Sequence, residues 1–121
     1  MTSLPVEDPI KAFEFYTKIL GFKEHTYIPE GQLAIVVSAE EENGTTLLLE
    51  PIDEELYKPF QQAIYKKGYP YLILGSKDVA KDYKELCEKG VVFKSQPKKT
   101  DYGITATFDD TCGNFIQIIQ D

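Results

Sequence analysis

Glu50 is a carboxylate that the sequence places beside an apolar strand. It directly follows the apolar residues 47–49 and precedes Pro51, so it stands at the end of a predicted strand. A carboxylate that points into an apolar cavity can act as a general base or accept a hydrogen bond from a ligand. A carboxylate at the solvent end of a strand does neither, and the strand pattern alone leaves both interpretations of Glu50 open.

Gln117 interrupts the last apolar strand of the chain. It lies between Ile116 and Ile118, and strand alternation sends its side chain to the face opposite theirs. Phe115 and Ile119 share the face of Gln117. An amide between two apolar side chains is more typical of a half-apolar cavity wall than of a plain solvent-exposed face, so we predict that Gln117 contacts a ligand.

One histidine and two cysteines are the other candidates for acid–base or nucleophilic chemistry. His25 lies among charged and polar residues, which favours a solvated strand histidine. Cys87 occupies an apolar position of a predicted helix and is expected in the core, whereas Cys112 lies in a predicted turn and could be an exposed thiol. A cysteine nucleophile needs a neighbouring base, and the two cysteines have no metal-binding spacing.

The chain contains eight tyrosines, many for 121 residues. Four of them border the predicted linker and a polar loop, and these are Tyr65, Tyr69, Tyr71 and Tyr102. Such rings could stack on a planar ligand, although packing in the core or at its rim is the more common use of a tyrosine.

The charge and composition argue against several partners. A net charge of −7 disfavours nucleic acid, and all 13 basic residues are Lys, so the bidentate grip of Arg on carboxylates is absent. No apolar stretch approaches the roughly 18 residues of a membrane span. No secretory signal is visible at the N-terminus. We predict a cytoplasmic protein with no membrane or nucleic-acid partner, whose thiols stay reduced.

The first half of the chain has the pattern β-α-β-β-β. Asp8 is a favourable N-cap and Pro9 suits the first helical position, while Gly21 suits the left-handed conformation that ends a helix. The strands predicted around this helix are residues 2–6, 22–28, 33–38 and 45–50.

The second half repeats the plan after a linker that contains a short helix ending at Gly68. A strand is followed by a helix that begins at Asp78 and stops at Gly90. The strands predicted here are residues 69–75, 91–94, 103–108 and 115–120, with a polar loop at 96–102 and a turn at 109–114.

The similarity of residues 8–16 to residues 78–86 indicates a duplicated module. The predicted fold is a single α+β domain of two βαβββ modules, whose paired, curved mixed sheets surround a cup suited to a small ligand. The predicted boundaries are a first module at 1–51, a linker at 52–68 and a second module at 69–121 within one domain, 1–121.

Three segments together resemble the vicinal oxygen chelate superfamily, which includes glyoxalases, bleomycin-resistance proteins and extradiol dioxygenases. The carriers of the resemblance are residues 6–22, 47–51 and 108–117. The resemblance spans nearly the whole chain, and it implies the duplicated-module fold and a ligand site on the inner sheet faces. It also favours a Glu50 side chain that projects into that site.

The resemblance further implies positions for metal ligands, because four side chains hold a divalent cation in the metal enzymes of the superfamily. The matching positions here are Met1, Glu50, Tyr71 and Gln117. Only Glu50 keeps a usual ligand type, and a thioether, a phenol and an amide complete the set poorly. We therefore predict no cofactor, with a divalent metal as the alternative.

Three functions are compatible with these features. The preferred one is a bleomycin-resistance-like protein that binds a small molecule through Glu50, Tyr71 and Gln117 without a tight metal. The second is a metal-dependent lyase, isomerase or dioxygenase with unusual ligands, and the third is a dimerising module with no ligand. A homodimer is expected because small paired-sheet domains have edges and faces to cover.

Overall fold

The computed structural model describes residues 1–121, and these form eight strands and three α-helices. The strands are β1 (Thr2–Val6), β2 (Lys23–Ile28), β3 (Leu33–Val37), β4 (Thr46–Pro51), β5 (Pro70–Gly75), β6 (Lys98–Thr100), β7 (Gly103–Asp109) and β8 (Phe115–Gln120). The helices are α1 (Pro9–Glu14), α2 (Lys58–Lys67) and α3 (Val79–Glu88). None of them is long and apolar enough to cross a membrane.

The strands form two four-stranded sheets with the same internal order. The first sheet has the order β1-β4-β3-β2 and the second has the order β5-β8-β7-β6. In each sheet the first pair is parallel and the other two pairs are antiparallel. The predicted α+β class and the repeated βαβββ plan are therefore confirmed. The chain divides into two compact units, residues 1–61 and 62–121.

The helices of the two units begin at equivalent aspartates, as the sequence predicts. The Asp8 carboxylate accepts hydrogen bonds from the backbone N–H groups of Ile10 and Lys11 at 3.0 and 3.4 Å. The Asp78 carboxylate accepts one from Lys81 N at 3.1 Å. Each aspartate thus satisfies N–H groups that have no partner within the first turn of its helix.

A π-helical turn over Phe15–Ile19 continues α1, where the sequence predicts one regular helix. The Leu20 N–H bonds to the Phe15 carbonyl at 3.1 Å, and Phe22 N bonds to the Tyr16 carbonyl at 2.9 Å. Tyr16 is fully buried. A single π turn changes the helical period by less than one residue, so apolar spacing does not reveal it.

Each sheet buries one face under the helix of its own unit. In the first sheet, the side chains beneath α1 are Leu4, Val6, Ala34, Val36, Leu47 and Leu49. In the second sheet, the side chains on the α3 side are Ala106, Phe108, Ile116 and Ile118. The alternate residues of the central strands are only half-buried. This alternation leaves a second, less covered face on each sheet.

The edge strand β6 lies where the sequence predicts a loop. Residues 91–94 were expected to form a strand, but they make only one isolated bridge, between Phe93 and Phe108. Pairing resumes at Lys98, opposite Thr105. Residues 95–97 lie between these pairings and include Pro97, which has no N–H to donate. The edge strand is interrupted at these residues, so the predicted strand at 91–94 and the observed strand β6 fall at different positions.

Candidate functional site

Gln117 lies at the centre of the less covered face of the second sheet. It is directly paired with Ile73 on β5 and with Thr107 on β7, so the three side chains project from the same face. Along β8, Phe115 and Ile119 share that face, and all three β8 residues are half-buried. We call this surface the Gln117 face, and it consists of Ile73, Thr107, Phe115, Gln117 and Ile119. The predicted placement of the amide between apolar neighbours is confirmed.

Ile73 gives the Gln117 face an exposed apolar surface. Its side chain is 56% exposed, although it lies next to the central strand of the sheet. Tyr71 precedes it at an irregularity of β5, where the pairing register with β8 shifts between Pro70 and Leu72. Tyr71 is half-buried. The structure therefore places Tyr71 and Gln117 on neighbouring strands of one sheet.

Glu50 belongs to the first unit and lies near the end of β4, opposite Pro5 of the edge strand β1. Its side chain is exposed. Leu48, two residues earlier, is half-buried and pairs with Ile35 on the neighbouring strand. Glu50 thus extends from the less covered face of the first sheet, next to apolar side chains, and its role in ligand binding stays a prediction.

An aromatic cluster covers one end of the Gln117 face. The ring of Tyr65, on α2, stacks on the ring of Phe115 with centroids 4.4 Å apart and planes inclined by 6°. The Tyr65 hydroxyl donates a hydrogen bond to Oδ2 of Asp109. Lys94 Nζ lies 5.0 Å from the Phe115 centroid and donates to the Gly68 carbonyl at 2.8 Å.

Sequence reasoning found only part of this cluster. Tyr65 was one of the tyrosines expected to border a site, and Phe115 was assigned to the face of Gln117. Asp109 and Lys94 were assigned to a turn and to a strand with no role. No local pattern marks them, because Asp109 and Tyr65 are 44 positions apart in the chain.

The other tyrosines near the predicted linker and loop do not pack in the core. Tyr69 is 59% exposed and Tyr102 is 82% exposed. The expectation of core packing is therefore wrong for these two rings. Tyr102 lies in the short turn between β6 and β7.

The cysteines have the reverse of the expected burial. Cys87 is exposed on α3, whereas Cys112 is only 1% exposed in the turn between β7 and β8.

Desolvation raises the pKa of the Tyr83 phenol above its ordinary value of 10.0, and a hydrogen bond with Cys87 raises it further. His25 is exposed, as predicted, with Nδ1 3.0 Å from Thr26 Oγ1.

A buried carboxylate shapes the turn that holds Cys112. Asp110 Oδ1 accepts hydrogen bonds from Cys112 N at 2.7 Å and Asn114 N at 3.1 Å. Asp110 Oδ2 accepts one from Asn114 Nδ2 at 3.1 Å. Asp110 is fully buried, and these bonds hold the turn in place, so we assign Asp110 a structural role.

The side chains present do not fit a tight divalent-metal site. Residues 1–121 hold no group of three or more His, Cys, Asp or Glu side chains placed to bind a metal. The four positions implied by the resemblance, Met1, Glu50, Tyr71 and Gln117, offer a single carboxylate among neutral donors. Hard cations prefer several oxygen ligands, and Zn²⁺ prefers about four N, S or O ligands.

The chain belongs to the glyoxalase/bleomycin resistance protein/dioxygenase superfamily. A family model of that description matches residues 1–118. The predicted resemblance is therefore confirmed, and it agrees with the repeated βαβββ topology.

Three individual proteins are similar to this chain in sequence or in fold. An uncharacterized Bacillus subtilis (strain 168) protein, YurT, is 43% identical over 122 residues, which cover 99% of this chain and 96% of YurT. TnmS3, an antibiotic-binding protein from Streptomyces sp. CB03234, is 30% identical in sequence, and its solved structure matches with a TM-score of 0.74. The match covers 98% of this chain and 90% of the TnmS3 chain. The solved structure of a bleomycin-binding protein from Streptomyces verticillus shares the fold at 14% identity, with a TM-score of 0.71. The match covers 100% of this chain and 94% of the bleomycin-binding protein.

Proposed function

We propose that this protein binds a small molecule on the Gln117 face of its second sheet, without a tightly bound metal. The observation that carries the proposal is the direct pairing of Gln117 with Ile73, whose side chain is 56% exposed. An exposed aliphatic group beside an amide offers apolar contact together with a donor and an acceptor that can orient a ligand. The antibiotic-binding activity named for the relative TnmS3 supports the same class of function.

The chemistry of the face favours a partly planar, polar ligand. Ile73 and Ile119 supply aliphatic surface, Gln117 and Thr107 supply hydrogen-bonding groups, and the stacked rings of Tyr65 and Phe115 border one end of the face. The net charge of −7 would speed the approach of a cationic ligand more than it would strengthen the bound state.

One further residue belongs to this proposal. Tyr71 is half-buried at the irregular part of β5, two residues before Ile73, and we assign it a contact with the ligand. Glu50, exposed near the end of β4 in the first sheet, stays a separate predicted ligand contact from the sequence. Each assignment is tested by its own alanine variant, Tyr71→Ala or Glu50→Ala.

The test is a titration of the purified protein with metal-free bleomycin and, separately, with quercetin as a planar polyphenol. The chain has eight Tyr and no Trp, so binding can be followed by tyrosine emission and by the melting temperature. We expect Gln117→Ala to weaken binding of the better probe by about tenfold, the effect of losing one or two hydrogen bonds. Gln96→Ala, an exposed glutamine outside the sheet ladder, is the matched control.

The outcomes of this titration separate the hypotheses. Binding that Gln117→Ala weakens and Gln96→Ala leaves unchanged supports the proposal. Binding that both variants retain in full argues for a different site. No binding of either probe up to millimolar concentration argues against a ligand of these classes and favours the module that only dimerises.

We also propose that the protein is a homodimer. The basis is the expected need of a small two-sheet protein to cover its strand edges and apolar side chains. Exposed apolar residues such as Leu56, at 71%, and Phe60, at 56%, are compatible with this need. Light scattering at micromolar concentration should give twice the chain mass of 13.8 kDa, and the mass of one chain would refute the proposal.

A further inference from the structure

The aromatic cluster of Tyr65, Asp109, Phe115 and Lys94 has the features of a binding subsite for a phenol. Phe115 presents one ring face, on which the Tyr65 ring lies nearly parallel at 4.4 Å. Asp109 Oδ2 accepts the hydrogen bond of the Tyr65 hydroxyl. The phenol of Tyr65 is therefore recognised both through its ring and through its hydroxyl group.

The groups that surround this phenol are held by contacts that do not involve the Tyr65 side chain. Asp109 Oδ1 accepts a hydrogen bond from Thr111 N at 2.7 Å, which orients the carboxylate. Lys94 Nζ is held by the Gly68 carbonyl at 2.8 Å, within 5.0 Å of the Phe115 centroid. Phe115 is fixed by its place in β8, where it pairs with Pro70 and Asp109.

Tyr65 is more exposed to solvent than the ring and the carboxylate that it contacts. It lies in the last turns of α2, and its side chain is 37% exposed, while Phe115 and Asp109 are half-buried. The helix ends two residues later, at Lys67, and Gly68 has a positive φ of 76°. A change of the Tyr65 rotamer would break its stack on Phe115 and its hydrogen bond to Asp109, whereas the pairing of Phe115 with Asp109 in the sheet does not involve Tyr65.

We propose that Phe115, Asp109 and Lys94 form a subsite for a phenolic ring, and that Tyr65 fills this subsite in the present structure and gives way to the phenolic ring of a ligand. This inference rests on the proposed function, because the subsite is one end of the Gln117 face. It assigns the ligand a class, a planar molecule with a phenolic hydroxyl. The ring stacks on Phe115 and the hydroxyl donates to Asp109, while the Lys94 ammonium lies 5.0 Å from the centroid of the Phe115 ring.

The competing interpretation is that Tyr65 is a permanent wall of the face. The two interpretations make opposite predictions for removal of the Tyr65 side chain. A displaceable occupant competes with the ligand, so its removal strengthens binding. A permanent wall contributes contact area, so its removal weakens binding.

The experiment measures the affinity of 2-naphthol, a planar phenol, for the wild type and for Tyr65→Ala. We expect Tyr65→Ala to bind 2-naphthol about tenfold more tightly, because the stack and the hydrogen bond of Tyr65 no longer compete. Tyr102→Ala, which removes a tyrosine that is 82% exposed, is the matched control and should bind like the wild type. The probe 2-methoxynaphthalene, which cannot donate to Asp109, should gain little.

Two additional variants keep the test decisive. Tyr65→Phe retains the stack and loses the hydrogen bond to Asp109, so it should give an intermediate gain even where Tyr65→Ala folds poorly. Asp109→Asn in the Tyr65→Phe background should remove most of the gain for 2-naphthol. Unchanged or weaker binding of 2-naphthol to both Tyr65 variants would overturn the inference.

The results also separate this inference from the proposed function. Wild-type binding that depends on Gln117, with no gain in the Tyr65 variants, leaves the proposed function standing and rejects the subsite. A gain in the Tyr65 variants without any effect of Gln117→Ala supports the subsite and rejects Gln117 as a ligand contact.

Discussion

Tyr65 and Phe115 stack with their ring centroids 4.4 Å apart and their planes only 6° from parallel. This contact ties the C-terminal half of α2 to the face of the second sheet that α3 does not cover. The same face carries Gln117 at its centre and Ile73 on the neighbouring strand. The helix between the two predicted modules is thus a part of the candidate site as well as a connection.

Asp110→Ala should strongly destabilise the protein. The buried Asp110 carboxylate accepts three hydrogen bonds, from Cys112 N, Asn114 N and Asn114 Nδ2. Loss of an acceptor that leaves buried donors without partners costs about 3 kcal/mol of the free energy of unfolding. Urea denaturation gives this value, with the exposed Asp101→Ala as the control. Equal stability of the two variants would contradict the structural role of Asp110.

Gln61→Ala should lower stability by a smaller amount. Gln61 is 2% exposed, and its Nε2 donates a hydrogen bond to the Pro5 carbonyl at 2.9 Å on the edge strand β1. Removal of the amide leaves this carbonyl without that donor, which costs about 1–3 kcal/mol. The exposed neighbour Gln62→Ala serves as the control in the same denaturation experiment, and it should be near neutral. A Gln61 variant as stable as the Gln62 variant would show that the bond contributes nothing.

The two thiols should differ in reactivity in the native protein. Cys87 is exposed on α3 and Cys112 is 1% exposed, so an aromatic disulfide reagent should modify one thiol quickly and the second only after unfolding. Cys87→Ser should remove the fast reaction, and Cys112→Ser should preserve it. Rapid modification of both thiols without denaturant would contradict the burial of Cys112.

Metal titration should reveal no tight divalent-metal site. One carboxylate among neutral donors is a poor ligand set, so calorimetry with Zn²⁺, Ni²⁺, Mn²⁺ and Fe²⁺ should show no submicromolar binding. The comparison variant is Glu50→Ala, because Glu50 is the position that keeps a usual ligand type. Submicromolar binding that Glu50→Ala abolishes would favour the alternative, a metal-dependent lyase, isomerase or dioxygenase.

The elements that the sequence predicted correctly depend on interactions between near neighbours. Asp8 and Asp78 cap helices because their carboxylates reach N–H groups only two or three residues away. Gly68 and Gly90 end helices because they adopt positive φ angles of 76° and 89°. The alternation around Gln117 follows from strand geometry alone. The duplicated pattern of these local signals was sufficient for the fold class.

The features that the sequence did not predict depend on contacts between residues far apart in the chain, and only the tertiary structure shows these contacts. Tyr65 meets Asp109 across 44 positions, a pairing that no local pattern encodes. The edge strand was predicted at residues 91–94, but the structure has it at Lys98–Thr100. Regular pairing with β7 begins only beyond Pro97. Cys87 is exposed and Cys112 is buried because burial depends on which elements pack above a residue. The position of a cysteine in a predicted helix or turn does not indicate which elements will pack against it, so its burial could not be predicted from the sequence.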